Sequence, residues 1–110
     1  MSFEDRLAAA VRSVIPDAEP NVYEGDSRIF ATWNFTESPR LFADGKPCMR
    51  LNLVQVHVHL PRKWPWAEIK GDMETALFRL GGTWPAIIDA SDRDGEHLVF
   101  EFKIAEGMNG

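Results

Sequence analysis

The chain has 110 residues and a mass of 12.5 kDa, with 45% hydrophobic and 26% charged residues, a balance that excludes a disordered or fibrous chain and fits one domain around one core. Seventeen acidic against 12 basic residues leave a net charge of −5, which argues against wrapping nucleic-acid phosphates or anionic lipid. The single cysteine, Cys48, excludes an internal disulfide and a Cys-rich zinc site, residues 1–12 lack the apolar core of a secretory leader, and no apolar run approaches the ~20 residues of a membrane span, so a chain made in a reducing compartment is expected.

Ser2 with Asp5 three residues on has the form of a helix-capping box. Phe3, Leu7, Val11 and Val14 then recur at helical spacing, which predicts a helix over 3–15 stopped by Pro16 and Pro20. The acidic stretch 17–26 reads as a loop. Ile29, Ala31, Trp33 and Phe35 alternate with Phe30, Thr32, Asn34 and Thr36, the period of a strand with one buried face. The segment 37–48 carries Pro39, Asp44-Gly45 and Pro47 and reads as an exposed loop or extended arm, too long for a tight hairpin.

Residues 49–60 form a strand with a fault in its pattern. Met49, Leu51 and Leu53 are apolar at odd positions; Val54, Val56, Val58 and Leu60 are apolar at even positions. A one-residue slip in phase turns an apolar set to the other face of a sheet. A β-bulge or sharp twist at Leu53-Val54 would absorb it; the alternative is that the strand's second half packs on a different surface, such as a neighbouring subunit.

Pro65 opens a second helix over 65–80, with Trp66, Ile69, Met73, Leu77 and Leu80 as its apolar stripe and Gly81-Gly82 as its stop. Gly71 in its middle costs about 1 kcal/mol against Ala and is expected to mark a close contact. A short strand over 84–90, a hairpin turn at Asp92-Arg93-Asp94-Gly95 and a last strand with Leu98, Phe100, Phe102 and Ile104 on one face complete the order, with 106–110 a frayed tail. The expected fold is α+β: one domain, a single four-stranded, mainly antiparallel sheet with two helices packed on one face, in the order α-β-β-α-β-β.

Chemistry is sparse in the pattern. His57 and His59 share a strand face, and a metal would need a third ligand from His97, Asp89 or Cys48; the same histidines equally line a solvated strand face. Cys48 as a nucleophile lacks any local signature for a base, and Asp92 with Asp94 reads as a solvated turn rather than a cation loop. Trp66 and Trp84 suit the core. Trp64, beside Arg62 and Lys63, suits either the core or an interface anchor. The expectation is no catalytic residue, no metal and no cofactor.

The strand Phe30-Ala31-Thr32-Trp33-Asn34-Phe35, then Pro39, then Phe42-Ala43-Asp44-Gly45-Lys46-Pro47, then Val54-Gln55-Val56-His57-Val58 and Pro61, together resemble the tail terminator or tail-completion (minor tail) proteins of long-tailed bacteriophages. About a third of the chain carries the likeness closely and the rest by element order. The resemblance implies a structural virion or prophage protein, not an enzyme and without a cofactor. It would be assembled in the host cytoplasm into a ring, a hexamer, at the head-proximal end of the tail. Such a ring stops tube polymerisation and offers a joining surface to the head. The implied partners are further copies of the chain, the tail tube protein and a head-completion protein, with no membrane and no sequence-specific nucleic acid binding. The arm makes Phe42, Asp44 and Lys46 interface candidates, and Trp64 joins them on its own chemistry. A head-tail joining (neck) protein of the same virion, and a small metal-dependent or ligand-binding α+β module, are the rival expectations.

Overall fold

A computed structural model describes residues 2–43 and 45–107, with side chains except at 39–43, 46–48 and 107. Two helices and five strands follow the order α1 (Phe3–Arg12), β1 (Ala18–Pro20), β2 (Phe30–Ala43), β3 (Lys46–Leu60), α2 (Ala67–Phe78), β4 (Ala86–Asp89) and β5 (Glu96–Gly107). The class is α+β. The sheet has five strands, not four, in the order β1-β2-β3-β5-β4, and it is mixed because β1 runs parallel to β2.

That fifth strand is the stretch read as loop. Ala18, Glu19 and Pro20 pair with Ala31, Thr32 and Trp33, and the Arg12 side chain donates from Nε to the Ala18 carbonyl at 3.1 Å. Three residues, the last of them a proline, have no room for a period-two pattern, so the strand leaves no trace in the sequence. Its small Ala18, 2% exposed, is what lets the chain lie close against β2.

Helix α1 starts where its capping box places it: the Ser2 hydroxyl accepts from the Asp5 N–H at 3.1 Å and Asp5 accepts from the Ser2 N–H. It ends at Arg12, earlier than the pattern predicts, and Ile15 reaches the core from the turn beyond. Phe3, Leu7 and Val11 from α1 meet Met73 and Leu77 from α2 and the inward residues of the sheet in one core. Val54, Val56 and Val58 on β3 and Leu98, Phe100 and Phe102 on β5 are its floor, each side chain contributing about 1.5–3 kcal/mol by burial.

Helix α2 starts at Ala67, not at Pro65, and ends at Phe78, short of the expected 80; the turn beyond it closes at Gly81, whose φ of +106° is the left-handed conformation that glycine supplies. Gly71 does not mark a close contact: a Cβ there would meet nothing within 4 Å. Gly82 does, since a Cβ would collide with the Lys103 carbonyl oxygen and lie 2.9 Å from the Ile104 Cβ.

Of the two expectations for the segment 37–48, the extended arm is what its described residues form, and the connection is a tight hairpin after all. β2 and β3 stay paired from Phe30↔His59 to Ala43↔Lys46, and Gly45 turns the hairpin at a φ of +74°. The hairpin gives the molecule a long axis of 53 Å against 24 and 21 Å across. The last strand likewise runs on to Gly107, so residues 106 and 107 belong to the sheet and not to a frayed tail, while residues 108–110 lie outside the described residues.

There is no bulge at Leu53-Val54. The pairings Phe35↔Val54, Thr36↔Leu53 and Glu37↔Asn52 on one side, and Val54↔Phe102, Leu53↔Lys103 and Asn52↔Ile104 on the other, run in unbroken register. The slip in the sequence is therefore a change of apolar face. From Val54 to Leu60 the apolar side chains point under the helices. It is the first half of the strand, not the second, that turns away from the core: Met49, Leu51 and Leu53 point to the opposite, uncovered face. On the helix side the same rows turn polar: Asn52 donates to Glu106 at 3.4 Å, Arg6 binds Glu106 at 3.1 Å and Arg50 meets Glu37 at 3.4 Å.

Candidate functional site

The helices cover one face of the sheet and leave the other open, and two features lie on that open face. The first is a row of flat rings crossing three strands and the loop before them. Tyr23 stacks on Phe30 at 4.4 Å between ring centres, Phe30 on His59 at 4.6 Å and His59 on His97 at 4.1 Å. His97 then meets His57 with Nε2 2.9 Å from Nδ1. Strand period explains the row: Phe30, His59 and His97 are direct cross-strand neighbours, and His57 is two residues along β3 on the same face.

Burial pushes the His59 imidazole down to about 4, with the neighbouring His97 and His57 rings adding to the effect. His57 is lowered for the same reasons, burial first and His97 second. His57 and His97 are joined by one hydrogen bond in which one ring donates and the other accepts.

The third histidine expected for a metal is present, but the geometry is that of a hydrogen bond. The ring centres of His57 and His97 are 5.2 Å apart with their nitrogens at 2.9 Å, so the two rings point nearly head-on. The two facing nitrogens share one proton between them and do not aim at a common third point, which coordination of a metal requires. Among the described residues no three His, Cys, Asp or Glu side chains converge on a metal position. Asp89 lies on β4, where the Ser91 side chain first, and then the Ser91 N–H donating to Oδ1 at 3.0 Å, hold its carboxyl below the usual range. Cys48 lies in β3 near the hairpin turn.

Beside the ring row, Arg28, Phe30, His59, His97, Asp92 and Asp94 border a cleft of about 350 Å³. Asp92 and Asp94 sit in the β4–β5 turn as expected, with the Asp94 N–H donating to Asp92 Oδ1 at 2.8 Å.

The second feature is apolar. Met49, Leu51 and Leu53 run down the hairpin towards a groove of about 280 Å³ bordered by Leu53, Thr83, Trp84, Ala86 and Lys103. Trp84 is 54% exposed, contrary to a core position; its ring leans on Phe78 at 5.1 Å and its Nε1 donates to Glu74 Oε2 at 2.9 Å. Glu74 also binds Lys70 at 2.8 Å, and it is 8% exposed. Trp66 packs against the core as expected.

The four predicted interface residues do not form one cluster. Phe42 and Lys46 lie near the hairpin turn, in β2 and β3, and Asp44 lies outside the described residues. Trp64 sits in the turn before α2, its N–H donating to the Pro61 carbonyl at 3.0 Å, and is 39% exposed. Sequence reasoning missed Tyr23 and Phe30, and it named His97 only as one of three candidate metal ligands beside His57 and His59. Only the parity of Phe30 against His59 carried a signal, and it needed the β2–β3 register to be read.

No helix among the described residues is long and apolar enough to cross a membrane. Compared with known proteins, the chain matches no family model and no curated sequence.

Proposed function

We propose that this chain is a structural protein of a long-tailed phage or prophage, a tail terminator that assembles as a ring on the tail tube, ends its growth and offers the joining surface to the head. The observation that carries this reading is the hairpin of β2 and β3, which leaves the body with its apolar residues Met49, Leu51 and Leu53 on the face that no helix covers. An apolar strip on a projecting arm is surface made to be covered by another chain. The resemblance across residues 28–61 supports the reading, since the matching segment in that family would reach between subunits or to the tube. A subunit charge of −5 suits a ring through which DNA passes without being held.

The test is tube assembly in vitro. Tail tube protein from the same virion is polymerised with and without this chain. A terminator shortens the tubes in proportion to its concentration and appears as a ring at one end in electron micrographs. Tubes of unchanged length with bare ends overturn the reading. A ring that binds the head-side connector but ignores the tube turns it into the neck protein.

A second reading is a ligand-binding module, and the cleft bordered by Arg28, His59 and His97 is the observation that favours it. It predicts a monomer that ignores tail tube protein altogether.

A further inference from the structure

The hairpin and the groove are complementary surfaces carried by the same chain. Met49 and Leu51 lie on the hairpin, and Trp84 and Ala86 edge the groove beside β4. β4 is four residues long and, among the described residues, pairs only with β5, so its outer edge has backbone groups without a strand partner there. On the other side of the sheet β1 pairs with β2 only at residues 31–33, and among the described residues no strand pairs with the edge of β2 beyond that point. One chain thus offers two different incomplete edges at opposite sides of its sheet.

The charges are complementary as well. Residues 37–50 carry Arg40, Lys46 and Arg50 against Glu37 and Asp44, a net charge of +1 in a chain of −5, so the rest of the chain carries −6. An arm of one sign projecting from a body of the other finds its natural partner in a second body. Two different patches on one chain make a heterologous contact, which propagates head to tail and closes into a ring when the rotation allows.

We propose that the hairpin of one copy of this chain lies, apolar face down, against the groove beside β4 of a second copy. The inference rests on the ring reading above and names the surfaces by which the ring is joined. Leu51 is the centre of the donating surface and Ala86 the centre of the accepting one. Each copy gives one hairpin and receives one.

The experiment uses two full-length variants, Leu51→Arg and Ala86→Arg, and sedimentation velocity over a wide concentration range. Both residues lie away from the helix-covered core, and thermal melts check that each variant folds; Leu51→Ser removes the contact without adding charge should Leu51→Arg fail that check. The wild-type chain is expected to associate beyond the dimer, and each variant alone to sediment as a monomer at the same concentrations. An equimolar mixture is expected to give a species of two chains and nothing larger, because each variant keeps one intact surface and that pair can form only once. A wild-type chain that stays monomeric to its solubility limit overturns the docking proposal, as does association unchanged in either variant. A mixture that stays monomeric points to a two-fold contact using both patches together and overturns the head-to-tail arrangement. The tube-capping assay reports separately on the ring reading: tubes capped by Leu51→Arg and Ala86→Arg as well as by wild type leave the terminator standing and remove this interface.

Discussion

His57 and His97 lie 40 residues apart in the chain and share a hydrogen bond of 2.9 Å on the open face of the sheet. The bond needs one imidazole to donate and the other to accept, so it exists only while at least one ring is uncharged. His59 stacks on the same His97 ring, and burial with these two neighbours depresses it to about 4. The charged groups bordering the adjacent cleft are Arg28, Asp92, Asp94 and Glu96.

Acid should therefore weaken the fold through these rings. An unfolded histidine titrates near 6.5 and the folded His59 near 4, so between those values the unfolded chain binds the extra proton. Stability is full above about pH 6.5, falls as the pH drops towards 4 and levels off below. The part due to His59 is about 1 kcal/mol, because solvent screens a half-buried ring. His59→Phe keeps a flat ring between Phe30 and His97 and removes the proton site. Its melting temperature should fall less than that of wild type between pH 6.5 and 4. Equal slopes in the two proteins would refute this assignment.

Glu74 is the joint between α2 and the chain leading into β4, since it accepts from both Lys70 and Trp84. Glu74→Ala leaves the Trp84 N–H without its acceptor and should cost about 1–2 kcal/mol in urea unfolding. Glu74→Gln still offers an oxygen to Trp84 and should lose less than half of that. Equal losses would mean that the ion pair with Lys70, and not the Trp84 bond, is what matters.

Two glycines should respond in opposite directions. Gly82→Ala forces a methyl group into the Lys103 backbone and should destabilise by more than about 2 kcal/mol. Gly71→Ala meets open space in the middle of α2 and should stabilise by about 0.5–1 kcal/mol. Thermal unfolding of both variants reads the contrast directly.

Asn52 is fully buried where the apolar pattern changes sides, and its Oδ1 has no hydrogen-bond partner among the described residues. A buried acceptor without a donor costs about 1–3 kcal/mol. Asn52→Leu removes it, while Glu106 keeps Arg6, so the variant should gain about 1 kcal/mol in denaturant unfolding. A loss would show that the 3.4 Å contact to Glu106 outweighs the orphaned oxygen.

Much of the fold was legible because it is written in local repeats. The stripes Phe3-Leu7-Val11 and Met73-Leu77, the capping box at Ser2 and the alternation from Leu98 to Ile104 each lie within a few turns of backbone, and all recur in the structure. The candidate site was legible only in part. His57 and His59 were visible as one face of one strand, whereas His97, Phe30 and Tyr23 join them through the register of β2 and β5.

The phase change at Leu53-Val54 draws the boundary most clearly. The sequence by itself determined that apolar residues change sides there, because side chains alternate strictly along a strand. It could not determine whether the backbone or the surroundings absorbs the change. The unbroken pairing of β3 with both neighbours decided that, by holding the strand straight and turning Met49, Leu51 and Leu53 to the uncovered face. Only the tertiary structure could also place Ala18–Pro20 beside β2 or His57 beside His97, since such pairings depend on where distant backbone lies and no local repeat encodes that.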